Sequence, residues 1–378
     1  MWTTLGDLFT LQAGKNIAAK EIYPEFSEIY KYPCFGGNGI RGFVSNFNRN
    51  GDFPIIGRQG ALCGNVNLAI GDFYATEHAV VVERFSDTDL MWTYYVLIAL
   101  NLNQYATATA QPGLAVNVIN DVIVPVPPFQ EQCRISKAVT RLFSLINEIE
   151  HGKQKLQGTI KQTKSKVLDL AIHGKLVPQD LNDEPASELL KRINPKAEII
   201  TDNGHYQKLP EGWCLTKGKF IFNQMKSSKP TGEVFRYIDI DAIDNKQQII
   251  RNIKILKVAN APSRASRFTQ KGDVVFSLVR PYLRNIAMVM EDDCIASTGF
   301  YVCHPTKVLL SKYCFYLMNS RYVVDGLNKF MKGDNSPSIT KADIDNWVYP
   351  LPPLTEQKLI VAKIEELFTQ LDTIEASL

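Results

Sequence analysis

At 378 residues the chain can hold two or three cored domains, and its 45% hydrophobic and 21% charged content is that of a soluble globular protein. No apolar run reaches the roughly 20 residues of a membrane span. The start, Met1-Trp2-Thr3-Thr4, does not read as a secretion signal, and seven cysteines without a Cys-x-x-Cys pair argue against a disulfide framework or zinc knuckle, so cytoplasm is the expected compartment.

Net charge is +3, and it is unevenly spread. Residues 1–128 carry 7 Lys/Arg against 11 Asp/Glu, a balance of −4, whereas residues 209–350 carry 20 against 13, a balance of +7. The second stretch is the one suited to a polyanion.

Residues 1–128 read as mixed helix and strand. Leu5-Gly6-Asp7-Leu8-Phe9 opens them, and a glycine-rich turn follows at 35–42. Residues 51–56 read as a strand ending in Gly57-Arg58-Gln59-Gly60, and 74–82 enter another. Asp87 or Asp89 caps an expected short helix over 91–100. Gln111-Pro112-Gly113 marks a turn, and 118–126 read as the last strand. Pro127 and Pro128 lack N–H donors, so they stop the strand and hand over to a helix.

Beyond the prolines, apolar residues recur at steps of four and three: Ile135, Val139, Leu142, Ile146, Ile149, Leu156, Ile160, Val167 and Leu170, with only Lys153 and Thr163 breaking the row. This register lays a narrow apolar seam along a helix for a partner helix. Roughly 35 to 40 residues at ~1.5 Å each make a rod of about 55 to 60 Å. Gly152 and Gly158 are expected to soften its middle and Gly174 to end it. A polar connector at 177–185, a short helix at 187–192 and a linker at 195–206 follow.

Pro350-Leu351-Pro352-Pro353-Leu354-Thr355-Glu356-Gln357 repeats Pro125-Val126-Pro127-Pro128-Phe129-Gln130-Glu131-Gln132, an offset of 350 − 125 = 225. The seam repeats too, at Ile360, Ile364, Leu367, Leu371, Ile374 and Leu378. Residues 209–350 follow the plan of the first stretch. Trp213 answers Trp2, Arg280 answers Arg58, Ala296 answers Ala75, Phe315-Tyr316 answer Tyr94-Tyr95, and Ser336-Pro337 answer Gln111-Pro112. The expected fold is α+β: two similar α/β domains at 1–128 and 209–350, related by a pseudo-two-fold repeat. Two long antiparallel coiled-coil helices, in the regions 129–208 and 351–378, separate them.

The doubled Pro-x-Pro-Pro-x-x-Glu-Gln helix unit resembles the conserved regions of DNA-specificity subunits of type I restriction–modification systems. Gly174-Lys175-Leu176-Val177-Pro178-Gln179-Asp180 through Ser187 is similar to that family's central conserved region, and Leu209-Pro210-Glu211-Gly212-Trp213 to the start of its second target-recognition domain. Tyr32-Pro33 through Gly39 and Gly57-Arg58-Gln59-Gly60 look like patterns of its first. The resemblance covers essentially the whole chain. One departure is that the distal helix has only about 25 residues before Leu378. A short native helix, a truncated end, or completion by another chain would each account for it.

The resemblance implies a subunit without catalytic residues, cofactor or metal. Each domain would read one half of a bipartite double-stranded DNA target. The paired helices would act as a spacer ruler and dock two methyltransferase subunits, which recruit restriction/translocase subunits. Base edges are matched by Arg, Lys, Asn and Gln, so the candidate DNA contacts are Arg41, Arg58, Gln59, Gln111, Arg280, Tyr282, Arg284, Lys332, Asn335 and Ser336. The coiled-coil interface is expected at Ile135, Val139, Leu142, Ile146 and Ile149 against Ile360, Ile364, Leu367, Leu371 and Ile374.

Two motifs are set aside. Phe35-Gly36-Gly37-Asn38-Gly39 matches the S-adenosylmethionine loop of methyltransferases, which needs a buried strand before it and a helix after it; Lys31-Tyr32-Pro33 before it and Ile40-Arg41-Gly42 after it do not read that way. Val126-Pro127-Pro128-Phe129 lacks the Asn or Asp that would hold a target amino group. The competing readings are a stand-alone DNA methyltransferase or nuclease fragment and a coiled-coil adaptor that binds no DNA.

Overall fold

The computed structural model describes residues 1–85, 87–107, 112–201 and 209–378. Gln111 and positions 202–206 of the expected linker lie outside them. The chain divides into two compact units, residues 1–151 and 152–378.

In the first unit, β1 (Trp2–Thr4) leads into the one-turn helix α1 (Leu5–Leu8), where Thr4 and Asp7 form a capping box. Eight strands follow: β2 (Phe9–Ala13), β3 (Tyr32–Gly36), β4 (Gly39–Val44), β5 (Arg49–Asn50), β6 (Phe53–Gly57), β7 (Val66–Ala69), β8 (Asp72–Ala75) and β9 (Ala79–Arg84). The helices α2 (Leu90–Ala99) and α3 (Val116–Asn120) precede β10 (Ile123–Pro125), which pairs antiparallel with β1. Two four-stranded sheets result, ordered β2-β9-β6-β7 and β4-β3-β8-β5.

Side chains alternate across the first sheet. Ile56, Val80 and Val82 pack with Trp92 and Leu97, whereas Ile55 and Val81 pack with Phe35 and Phe73 of the other sheet. Both faces are covered, so β9 reads as a continuous apolar run instead of an alternating one. Asp89 caps α2 by accepting from Trp92 N at 2.8 Å. The strand expected over 118–126 is shorter. Val116, Val118 and Ile119 carry strand-prone side chains, but Ile119 is buried beside Leu5 and Leu8, and that packing holds 116–120 in a helix.

The long helix α4 (Phe129–Ile172) runs 44 residues, unbroken at Gly152 and Gly158. Its end is a Schellman motif: Gly174 has φ +63, and Lys175 N donates back to Leu170 O at 2.8 Å. Only glycine fits there, since a Cβ would stand 2.2 Å from Pro210 Cγ.

The second unit repeats the plan. After α5 (Ala186–Ile193) come β11 (Cys214–Lys217), α6 (Gly218–Ile221), β12 (Phe222–Asn223) and β13 (Val234–Ile238). A hairpin without counterpart among the described residues of the first unit follows, β14 (Ile243–Asp244) and β15 (Ile249–Ile250). Then come β16 (Lys254–Lys257), β17 (Ala265–Thr269), β18 (Val274–Ser277), β19 (Ile286–Met288), β20 (Cys294–Ser297) and β21 (Phe300–Pro305). The chain ends through α7 (Ser311–Met318), α8 (Arg321–Asn328), α9 (Lys341–Asn346), β22 (Val348–Leu351) and α10 (Leu354–Ala376). Its sheets, β12-β21-β18-β19 and β16-β13-β20-β17, match those of the first unit strand for strand. Even the parallel pairs correspond, β3 with β8 and β13 with β20.

Hydrogen bonds correct the register of the repeat. Trp2 pairs with Pro125 and Leu215 with Pro350, so Leu215, not Trp213, answers Trp2. Gly60 N donates to Pro112 O and Arg280 N to Pro337 O, so Arg280 answers Gly60, and Arg58 answers Leu278. Loops of unequal length shift the offset between helices and strands, which motif matching on a single chain does not register.

Within the second unit, the last turns of α4 lie antiparallel to α10. Gln179 Nε2 donates to Glu356 at 3.0 Å, Lys164 Nζ reaches Asp372 at 2.5 Å and Glu375 at 3.3 Å, and Lys153 Nζ reaches Leu378 O at 2.5 Å. Val167, Leu168, Ala171 and Ile172 share one core with Ile360, Val361 and Ile364.

Candidate nucleic-acid interface

Two loop clusters, one in each unit, carry the polar side chains expected to face DNA. In the first unit the β3–β4 turn and the loop after β6 meet without side chains between them. A Cβ on Gly57 would lie 1.8 Å from Gly37 O, and one on Gly37 2.5 Å from Gln59 O. This close approach opens an adjoining cleft of about 360 Å³ lined by Gly37, Asn38, Arg41, Gln59, Gly60, Ala61 and Leu62. The Arg41 stem lies over Gly36, where an added Cβ would meet its Cδ at 2.3 Å. Arg41 and Gln59 are both exposed and line one cleft; Arg58 is half-buried and outside its lining. Leu114 N donates to Arg58 O at 2.8 Å, which fixes the chain just after the expected turn at 111–113 against the same loop.

Asn38 was not among the sequence candidates. Its Oδ1 accepts from Asn65 Nδ2 at 3.1 Å, so an amide pair borders the cleft. The signal that could have found it is an Asn between glycines in a hairpin turn.

In the second unit, the β18–β19 loop meets the segment 332–338. Arg280 N donates to Pro337 O and Arg280 Nη2 to Asn335 O, both at 2.8 Å. Lys332 and Ser338 exchange backbone bonds of 3.0 and 2.9 Å. Arg280, Tyr282, Lys332, Asn335 and Ser336 are thereby gathered on one exposed loop pair. Arg280 holds φ +48 and Arg284 φ +55, flanking the turn Pro281–Leu283. For residues other than glycine such backbone costs about 1–2 kcal/mol and persists only where surroundings enforce it.

Arg284 does not join that surface. Its Nη1 donates to Asn319 O at 2.6 Å and its Nη2 lies 3.7 Å from Asp325. Burial lowers its pKa, against the pull of Asp325. Its guanidinium ties the loop to α7 and α8.

The seam residues divide as well. Ile360 and Ile364 are fully buried and Leu367 and Leu371 half-buried, whereas Ile374 is 45% exposed. Ile135 and Val139 are half-buried; Leu142, Ile146 and Ile149 are exposed. Among the described residues, no group of three or more His, Cys, Asp or Glu is placed to hold a metal, and no helix is long and apolar enough to cross a membrane.

The family model for the type I restriction modification DNA specificity domain matches residues 2–157 and again 217–378. The chain belongs to that family. The two matches fall on the two copies of the repeat. The specificity subunit of the type I restriction enzyme EcoprrI from Escherichia coli is 47% identical over 146 residues, 39% of this chain and 36% of that protein. The specificity subunit of MjaVIII from Methanocaldococcus jannaschii is 21% identical over 384 residues, 96% of this chain and 84% of that protein. The first relatives, EcoprrI, EcoAI and EcoEI, are spanned over only 36%, 42% and 43% of their length. A chain from a solved structure on complex assembly and conformational transition of the type I R-M system aligns over 100% of this chain and 92% of its own, with a TM-score of 0.65. At 17% identity it speaks for the shared fold alone.

Proposed function

We propose that this specificity-family chain reads a two-part duplex DNA target and does no chemistry itself. The loops around Arg41 and Gln59 read one half, and those around Arg280, Tyr282, Lys332, Asn335 and Ser336 read the other. The carrying observation is that one sheet-and-loop plan occurs twice, with the same pair of loops joined in each unit but different side chains upon them. A shared framework with divergent loop chemistry is what two readers of unlike half-sites require. Arg58, held close to the framework, is assigned to phosphate.

In this reading the antiparallel helices α4 and α10 form a coiled-coil spacer that sets the separation of the half-sites. The same helices dock two methyltransferase subunits, which bring in restriction subunits, and the complex works in the cytoplasm.

Binding of randomised duplexes with and without the methyltransferase partner tests the reading. Weak, salt-sensitive binding alone that becomes selective for a split sequence with the partner is the expected result. Selective binding to an uninterrupted site, or no DNA dependence in either state, would overturn it.

A further inference from the structure

In the second unit the corner that corresponds to the Gly37-Asn38 turn is enlarged. β3 pairs antiparallel with β4 and parallel with β8, as β13 does with β16 and β20. Where two residues join β3 to β4, residues 239–253 join β13 to β16 and hold the β14–β15 hairpin. The stretch Asn245-Lys246-Gln247-Gln248-Ile249-Ile250-Arg251-Asn252 carries six side chains of the kinds that match base edges, and no carboxylate.

The hairpin is fixed in place. Ala242 and Ile243 are buried, and Ile250 packs with them against the core that holds Val275 and Ala287. Asp244 shapes the turn: its Oδ1 accepts from Lys246 N at 2.9 Å and from Gln247 N at 3.0 Å, and Gln248 takes the left-handed region at φ +57. Asn245 Nδ2 donates to Leu283 O at 3.0 Å, which sets the tip against the turn between Arg280 and Arg284. Asn245, Lys246 and Gln247 are exposed. Arg251, its side chain 52% exposed, is gripped along one edge: Nε lies 2.8 Å from Asp244 Oδ2, and Nη2 donates to Gln247 Oε1 at 2.9 Å. Its Nη1 makes no hydrogen bond among the described residues. An exposed ion pair adds little to stability, so the consequence of these contacts is orientation of the guanidinium plane.

We propose that this hairpin is the part of the second unit that enters the major groove of the duplex, and that Arg251 reads a guanine there. The inference rests on the proposed DNA reading and adds the groove element to it. Two strands ~4.8 Å apart, with their side chains, fit the ~12 Å major groove and not the ~6 Å minor groove. Guanine presents O6 and N7 side by side as acceptors, and the free end of a guanidinium donates to both. Asp244 and Gln247 are positioning residues. They hold the fork before DNA arrives, so less ordering is left to occur on binding. The bond from Asn245 to Leu283 puts the tip on the same surface as the Arg280 loop pair.

The test selects targets from randomised duplexes with the full chain and its methyltransferase partner, comparing the wild type with Arg251→Ala and Arg251→Lys. Lysine keeps the charge and loses the planar fork. Both variants are expected to leave one half of the split target unchanged and to lose at least about fivefold of the preference for one guanine in the other half. Arg251→Lys keeps the wild-type salt slope, because the number of cations is the same. Circular dichroism checks that the variants fold. Base preferences unchanged in both variants overturn the proposal. So does an equal loss of affinity for every sequence, the mark of a phosphate contact or a damaged hairpin. A wild-type chain that selects no split target removes the DNA reading and this assignment together, whereas a selective wild type with unchanged variants removes this assignment alone.

Discussion

Gln132 and Gln357 make matching hydrogen bonds in the two units. Gln132 Oε1 accepts from Asp89 N at 2.9 Å and Gln357 Oε1 from Leu310 N at 2.9 Å. Each amide N–H returns to a proline carbonyl, Pro127 at 2.9 Å and Pro352 at 3.0 Å. Asp89 and Leu310 are the N-caps of α2 and α7, so each glutamine clamps the first turn of its long helix to a domain helix. Both side chains are buried. Gln132→Ala or Gln357→Ala leaves polar groups unpaired in the interior and is expected to cost about 2–4 kcal/mol in urea unfolding. A loss under about 0.5 kcal/mol would show that the clamp is dispensable.

The neighbouring glutamates should differ sharply. Glu356→Ala strands the Trp213 indole and the Gln179 amide and is expected to cost about 2–3 kcal/mol, while Glu131→Ala stays within about 0.5 kcal/mol. Equal losses would contradict the asymmetry between the units.

The Glu356 effect should also depend on pH. Burial pushes its carboxyl up, and the hydrogen bonds from Gln179 and Trp213 only partly offset this. The folded state therefore holds this proton more tightly than the unfolded chain does. Its contribution is fullest at low pH and falls as pH rises through the folded value. The loss caused by Glu356→Ala should be larger near about pH 5 than near about pH 8; the opposite trend in paired denaturation curves would refute the sign.

Gly57→Ala should be severe, because its Cβ would stand 1.8 Å from Gly37 O, a backbone atom that cannot step aside. A loss of about 3 kcal/mol or more in thermal unfolding is expected. Gly60, with φ +94 but open space around it, should cost only about 1 kcal/mol on the same change.

The two arginines of the β18–β19 loop should separate by assay. Arg280→Ala should weaken duplex binding and reduce the salt slope by about one unit with little change in stability. Arg284→Ala should cost about 1–3 kcal/mol of stability, since its guanidinium carries the bond to Asn319 O. Charge reversal at both should weaken binding; affinity and slope unchanged in the double variant would remove this loop from the interface.

Several features were legible because they are local and periodic. The seam spacing, the Pro-Pro-x-x-Glu-Gln starts and Gly174 each encode their own geometry, so the α4 boundaries and the repeat could be read directly. The partnership of Arg280 with the 332–338 segment was half legible: both loops were singled out, but nothing in either states that they touch. Arg284 and Arg280 look alike in the sequence, and their separate roles follow only from where α7 and α8 pass.

What the amino-acid order determined by itself is the plan: a doubled domain, each copy closed by strand, prolines and helix, because hydrophobic period and missing N–H donors act within a few residues. What tertiary structure alone decided is register and exposure. Which residue answers which across the repeat depends on hydrogen-bonded pairing through loops of unequal length. Whether Leu142 or Leu367 is covered depends on where distant segments pack, and an identical leucine in an identical seam carries no mark of that.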